Sequence, residues 1–284
     1  MARPLRIEYP GALYHVMSRG NAYQNIYLDD KDREKFLEWV HDAVKLHNLI
    51  VHAYCLMNDH YHLLVETPDA NLSKAMRDIN GNYTQWFHAR HKSVGHILQG
   101  RYKAFVIEKE TYLLEVARYI VLNPVRSFLS THPRNWKWSS YRYTAENHKP
   151  PDWLSVDWIL GLFDHKKKAA QKQYRSFVSE GLTAHNPYQN LANGFLLGSP
   201  QFIYRIWESY TNGSENVKAY PREQRVVGRP TLQEIFEDVT TKMERNRAIQ
   251  FARYRCGYLN TEIANHLGLH WTTIGQIARK NSHL

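Results

Sequence analysis

The chain has 284 residues, 43% of them hydrophobic, 13% aromatic and 23% charged, which suits one or two packed domains and excludes a fibrous, repetitive or compositionally disordered protein. Its 37 Lys+Arg against 27 Asp+Glu give a formal charge of +10, so a polyanion is the first partner to consider; 19 Tyr and 8 Trp add flat faces for unpaired bases. Two distant cysteines, Cys55 and Cys256, exclude a disulfide framework or a Cys-rich zinc site, and without a signal-like or membrane-length apolar run a soluble, cytoplasmic protein with no membrane partner is expected.

Leu13 to Arg19 alternates Leu13, His15 and Met17 with Tyr14 and Val16 before Gly20-Asn21, the period of a strand. Asp29-Asp30 offers an N-cap to a helix over Lys31 to His47, with Phe36, Leu37, Val40, Val44 and Leu46 at helical spacing. Ile50 to Met57 and His60 to Glu66 flank Asn58-Asp59, which predicts a hairpin. Asn71 to His91 predicts a second helix with Leu72, Ala75, Met76, Ile79, Tyr83, Trp86 and Phe87 on one face. Phe105 to Glu108 then reads as a strand and Thr111 to Asn123 as a third helix, ended by Pro124.

This order predicts an α+β fold over residues 1–147, a ferredoxin-like antiparallel sheet with helices on one face and the other face open to a ligand. Residues 148–228 read as an extension and connector: Trp136 to Trp158 is irregular, Lys166-Lys167-Lys168 starts a helical stretch to Val178, and a short helix is expected near Pro200 to Tyr210. Gly228-Arg229-Pro230 marks a boundary, and residues 229–284 should form an α-helical domain from Thr231 to Val239, Met243 to Arg255, Thr261 to Leu267 and Trp271 to Lys280. Residues 218–284 carry 11 Lys+Arg against 6 Asp+Glu, half of the formal excess in a quarter of the chain.

On a strand, residues i and i+2 share a face, so His60 and His62 can reach one ion and leave its remaining positions open to a phosphate oxygen. Two polar residues on a solvated strand face would show the same spacing. Tyr119 and Asn123 stand at i and i+4 near the end of the third helix and point the same way, although a residue before proline avoids the helical region. Tyrosine, with an ordinary pKa near 10, is a poor nucleophile at neutral pH, and a nearby cation would stabilise its phenolate and polarise the phosphate it attacks. Tyr119 alone would read as a core aromatic.

Three motifs in order, Met57-Asn58-Asp59-His60-Tyr61-His62-Leu63-Leu64, Gln99-Gly100-Arg101-Tyr102 and Arg118-Tyr119-Ile120-Val121-Leu122-Asn123-Pro124-Val125-Arg126, resemble the single-tyrosine HUH transposases, nearest to the REP-associated tyrosine transposases. The likeness covers roughly residues 4 to 145. It implies His60 and His62 as metal ligands with Asn123 as the third, Mg²⁺ or Mn²⁺ as the cofactor, single-stranded or hairpin DNA as substrate, and Tyr119 as the nucleophile that joins a DNA 5′ phosphate. It implies either a homodimer or a monomer. Tyr61 departs from the bulky apolar residue usual between the two histidines and, facing the other way, should pack. Tyr83, Tyr102 and Tyr112 lie outside the matching motif.

Arg19, Arg101 and Lys103 are candidates for backbone phosphate contacts, and Trp86 and Tyr102 for base stacking. Thr261-Glu262-Ile263-Ala264 opens a helix, Gly268 supplies a sharp turn, and Ile274 and Ile277 give the next helix an apolar side. The pair resembles a helix-turn-helix whose second helix would present Trp271, Thr272, Thr273, Gln276 and Arg279 to duplex DNA. A plain helical hairpin would look alike. The leading expectation is therefore a metal-dependent DNA nicking and joining enzyme. The rivals are a non-catalytic DNA-binding transcriptional regulator and a metal-dependent phosphodiester hydrolase in which water attacks.

Overall fold

The computed structural model of the chain describes residues 7–192, 194–211 and 230–279. It divides into two compact units, Glu8–Leu191 with Phe195–Leu197, and the rest. In the first, β1 (Ala12–Arg19) ends at Gly20, where an added Cβ would stand 2.0 Å from the Gln24 carbonyl oxygen; only glycine fits that turn. Helix α1 (Asp30–His47) is capped by the Asp29 carboxylate, which accepts from the Asp32 N–H. Phe36, Val40 and Ala43 form its buried stripe. The next place on that stripe is His47, not Leu46, so Leu46 is 72% exposed, against the sequence expectation.

β2 (Ile50–Leu56) and β3 (His60–Thr67) form the expected hairpin, followed by α2 (Leu72–His91), β4 (Lys103–Ile107) and α3 (Lys109–Arg126). The sheet order is β2-β3-β1-β4-β5, with antiparallel pairs throughout except that β5 (Leu196–Leu197), which the sequence did not signal, runs parallel to β4. The α+β, ferredoxin-like arrangement is as expected. On one face α1 and α2 pack together, and the Phe36 ring sits 4.6 Å from Tyr61 and 5.3 Å from Tyr83.

The opposite face is not open. Leu13, Ala53, Cys55, Leu64 and Ile107 project there and are buried under Leu113, Val116, Ala117 and Ile120 of α3. Three further helices, α4 (Tyr141–Ala145), α5 (Asp157–Gly161) and α6 (Lys167–Glu180), add Tyr141, Ile159, Tyr174 and Val178 to the same core. An apolar sheet face must be covered, and strands apolar on both sides require two layers.

Helix α3 also continues through Pro124, where the sequence predicts its end. Proline removes the N–H that would bond the Ile120 carbonyl. The Asn123 side chain replaces it, Nδ2 donating to Ile120 O at 3.3 Å and to Tyr119 O at 3.0 Å. The helix therefore survives the break, and Asn123 lies inside it, buried.

The second unit contains α7 (Pro200–Thr211), α8 (Leu232–Phe236), α9 (Lys242–Gln250), a π turn over Phe251–Arg255, α10 (Asn260–Leu267) and α11 (Trp271–Arg279). Thr231 with Glu234 and Thr241 with Glu244 form capping boxes at the starts of α8 and α9. Ile249, Ala252, Cys256, Ile263 and Ile274 are buried there. The expected boundary at Gly228-Arg229 and the end of the last helix at Lys280 fall outside the described residues. Among the described residues no helix is long and apolar enough to cross a membrane.

Candidate functional site

Strand β3 opens on His60 directly after the Asn58-Asp59 turn, and the pleat places His60 and His62 on the face that α3 covers. They are 8% and 4% exposed, and their ring centroids lie 4.9 Å apart at 86°. Each Nδ1 is engaged. His60 Nδ1 lies 2.5 Å from Asp59 Oδ1, and His62 Nδ1 lies 2.8 Å from Nε2 of His15. His62 Nε2 is buried without a hydrogen-bond partner, an arrangement native interiors rarely leave unexplained. It is the nitrogen a cation would use, with the other held by a second group, as in carboxylate–histidine–metal sites.

Burial keeps these imidazoles neutral. It lowers the pKa of His60 against the opposing pull of Asp59, and that of His62 well below the usual value, helped by His15 and His60. Burial alone carries His15 down to about 3. Neutral rings have a lone pair to give. Among the described residues no group of three His, Cys, Asp or Glu side chains could hold a metal ion, so a site here has to recruit another ligand type. Asn123 has that chemistry: its Nδ2 is spent on α3 carbonyls, which leaves Oδ1 as the amide's acceptor.

Tyr119 sits half-buried one turn before Asn123. Its ring stands edge-on to His15 at 6.3 Å and to Tyr188 at 5.1 Å, and the Arg126 guanidinium lies 4.8 Å over its face. Of the four residues predicted to converge, the two histidines meet directly. Tyr119 reaches them through His15, and the side-chain bonds of Asn123 stay within α3. Tyr83 is fully buried with its hydroxyl on the Ile26 carbonyl, which removes it as a rival.

Arg19 pairs with His60 across β1 and β3, and its guanidinium meets Asp59 at 3.5 Å. Lys103 pairs with Met17, the residue whose other neighbour is His62, and is exposed, as is Arg101. All three flank the histidine end of the sheet. Trp86 and Tyr102 are engaged elsewhere, Trp86 under Arg90 and Tyr102 on the Ser73 hydroxyl at 3.2 Å.

The sequence reading missed His15 and Tyr188. The signal for His15 was present, a histidine between Leu13 and Met17 on an otherwise apolar strand face. Nothing comparable marked Tyr188, which follows Asn186-Pro187 in a stretch read as connector.

In the second unit, Gly268 takes a left-handed φ of 63° and its N–H returns to Ala264, so α10 turns sharply into α11. Ile274 and Ala278 of α11 are buried, while Trp271 is 54% exposed, Thr272 and Gln276 are exposed and Thr273 is half-buried. The Arg279 side chain lies outside the described ones.

Residues 9–123 match a family model described as Transposase IS200 like, a segment that runs from before β1 to Asn123 and includes both histidines and Tyr119. Over this segment the chain is similar to the IS200-like transposases. Among solved structures, a REP-associated tyrosine transposase bound to a REP hairpin is similar at 19% identity and a TM-score of 0.46, over 55% of this chain and 93% of that one. A transposase from Deinococcus radiodurans R1 is similar at 17% identity and a TM-score of 0.31, over 42% and 95%. No curated protein matches.

Proposed function

We propose that the protein is a metal-dependent single-stranded DNA endonuclease and strand transferase with Tyr119 as nucleophile. In this reading His60 and His62 through Nε2, and Asn123 through Oδ1, hold Mg²⁺ or Mn²⁺. Such a cation, when bound, polarises a phosphate oxygen and offsets the charge that develops on it. The observation that carries the reading is the buried, unpartnered His62 Nε2 beside a second histidine whose Nδ1 is also fixed.

The chain's own groups supply the rest. The Tyr119 oxygen attacks phosphorus as its proton leaves to solvent; the bond from phosphorus to the 3′ oxygen breaks, and that oxygen takes up a proton as a free 3′ hydroxyl. The DNA stays joined to Tyr119 through a 5′ phosphate, and a 3′ hydroxyl attacking that phosphotyrosine reverses the step and rejoins a strand. The Arg126 guanidinium lies over the Tyr119 ring and holds its orientation. In this reading Arg19, Arg101 and Lys103 hold backbone phosphates. The α10-turn-α11 pair grips duplex DNA through Trp271, Thr272, Thr273, Gln276 and Arg279.

The test is incubation with labelled hairpin DNA and Mn²⁺, with Tyr119→Phe as the variant. Wild type should form a covalent protein–DNA adduct and Tyr119→Phe none. An undiminished adduct in the variant refutes the assignment, and DNA binding with no adduct and no response to chelation favours a regulator that performs no cleavage.

A further inference from the structure

We propose that Tyr188 and His15 form a positioning chain that fixes which nitrogen of His62 is presented to a cation. The inference deepens the metal-site reading above and rests on it. Tyr188 lies in the short turn Pro187–Asn190, beyond the residues that match the transposase family model. Its hydroxyl bonds Nδ1 of His15, and His15 Nε2 lies 2.8 Å from Nδ1 of His62. The His15 and His62 rings are stacked 5.0 Å apart at 27°, and Tyr188 is wedged against Phe105 and Tyr119, each at 5.1 Å.

A neutral imidazole carries one hydrogen, so the chain can run in two directions. In one, His62 Nδ1–H donates to His15 Nε2, and His15 Nδ1–H donates to the Tyr188 oxygen; His62 Nε2 then keeps a lone pair for a cation. In the other, the Tyr188 hydroxyl donates to His15 Nδ1 and His15 Nε2–H donates to His62 Nδ1. The His62 hydrogen is then forced onto Nε2, where it is buried and meets no acceptor. Only the first direction offers a cation the His62 Nε2 lone pair, and the Tyr188 oxygen terminates it as the acceptor for His15 Nδ1–H. Tyr188 is thus a positioning residue two hydrogen bonds from the site. The ring alone would serve if the contact were merely packing; the hydroxyl is what the chain requires.

The experiment uses the full chain labelled with ¹⁵N-histidine, without metal at pH 7.5, with the His62 resonances assigned by their loss in His62→Gln. Wild type should show His62 as the Nδ1–H tautomer, and Tyr188→Phe, which keeps the ring, should shift it to a mixture. Calorimetric titration with Mn²⁺ should then show a dissociation constant raised about tenfold or more in Tyr188→Phe, the scale on which outer partners of ligating histidines act. His15→Leu should raise it further, with circular dichroism unchanged. An unaltered His62 tautomer together with unaltered Mn²⁺ affinity in Tyr188→Phe overturns the proposal. A wild type that binds no Mn²⁺ overturns the metal reading and the role proposed for the chain with it, even where the tautomer spectra respond to Tyr188→Phe.

Discussion

The join between Asn123 and Pro124 can be tested by a double-mutant cycle on stability. Pro124 leaves the Ile120 carbonyl without its helical donor, and Asn123 Nδ2 supplies one at 3.3 Å in a fully buried stretch of α3. Asn123→Ala removes that donor and leaves the carbonyl unsatisfied, a cost of about 1–3 kcal/mol. Alanine is the better helix former, which offsets roughly half a kcal/mol in either background and cancels in the cycle. In Pro124→Ala the new N–H reaches Ile120 O, so removing the Asn123 side chain should then cost less by about 1 kcal/mol or more. Urea unfolding of the wild type, both single variants and the double variant measures this coupling directly. A coupling indistinguishable from zero would show that the asparagine is not what lets the helix pass through its proline.

Three further outcomes are expected. His15 is neutral in the fold down to about pH 3, whereas the unfolded chain gains its proton near 6.5; the unfolded state therefore binds more protons between these values, and stability is full above the upper one and is lost as pH falls. From pH 7 to pH 5, in chelator, wild type should lose about 2 kcal/mol more than His15→Gln, and equal losses in urea melts would refute the burial argument. Saturating Mn²⁺ at about 100 times its dissociation constant should stabilise the wild type by about 2.7 kcal/mol in a thermal melt and leave His62→Gln unmoved. At Gly181, a Cβ would stand 2.4 Å from Cδ of Arg118, so Gly181→Ala should cost about 1–2 kcal/mol by displacing Arg118 from the Phe177 ring; unchanged stability in denaturant would contradict the packing.

The elements that carry the family match were largely legible because each rests on local signals. Asp29 caps α1, Asn58-Asp59 turns the hairpin, and the stripe from Leu72 to Phe87 buries α2. What escaped was tertiary. Strands apolar on both sides imply two covering layers, but alternation alone does not say which later helices supply the second, so the face under α3 was expected to be open. Pro124 was read by its local rule, and only the position of the Asn123 amide reveals why the rule fails. His60 and His62 could be found from spacing, whereas the partner of His62 comes from another strand and that of His15 from residue 188, a separation of 173 residues that no local pattern encodes.

Exceptions to local rules gather around one face of the sheet. A proline runs inside a helix, a histidine nitrogen is buried without a partner, and three neutral imidazoles occupy positions where leucine or valine would pack without a desolvation cost. Each is unfavourable alone, and an apolar substitution at His15 or His62 would relieve it. Together they do something an apolar core does not: they leave a His62 ring nitrogen without a partner beside a second histidine, with Tyr119 edge-on to the neighbouring His15 ring. Sequences depart from local consistency chiefly where function constrains them, and these departures share one neighbourhood. A ring system buried to stay neutral needs a cover, and the extension supplies one in Tyr188, whose hydroxyl bonds the histidine it covers.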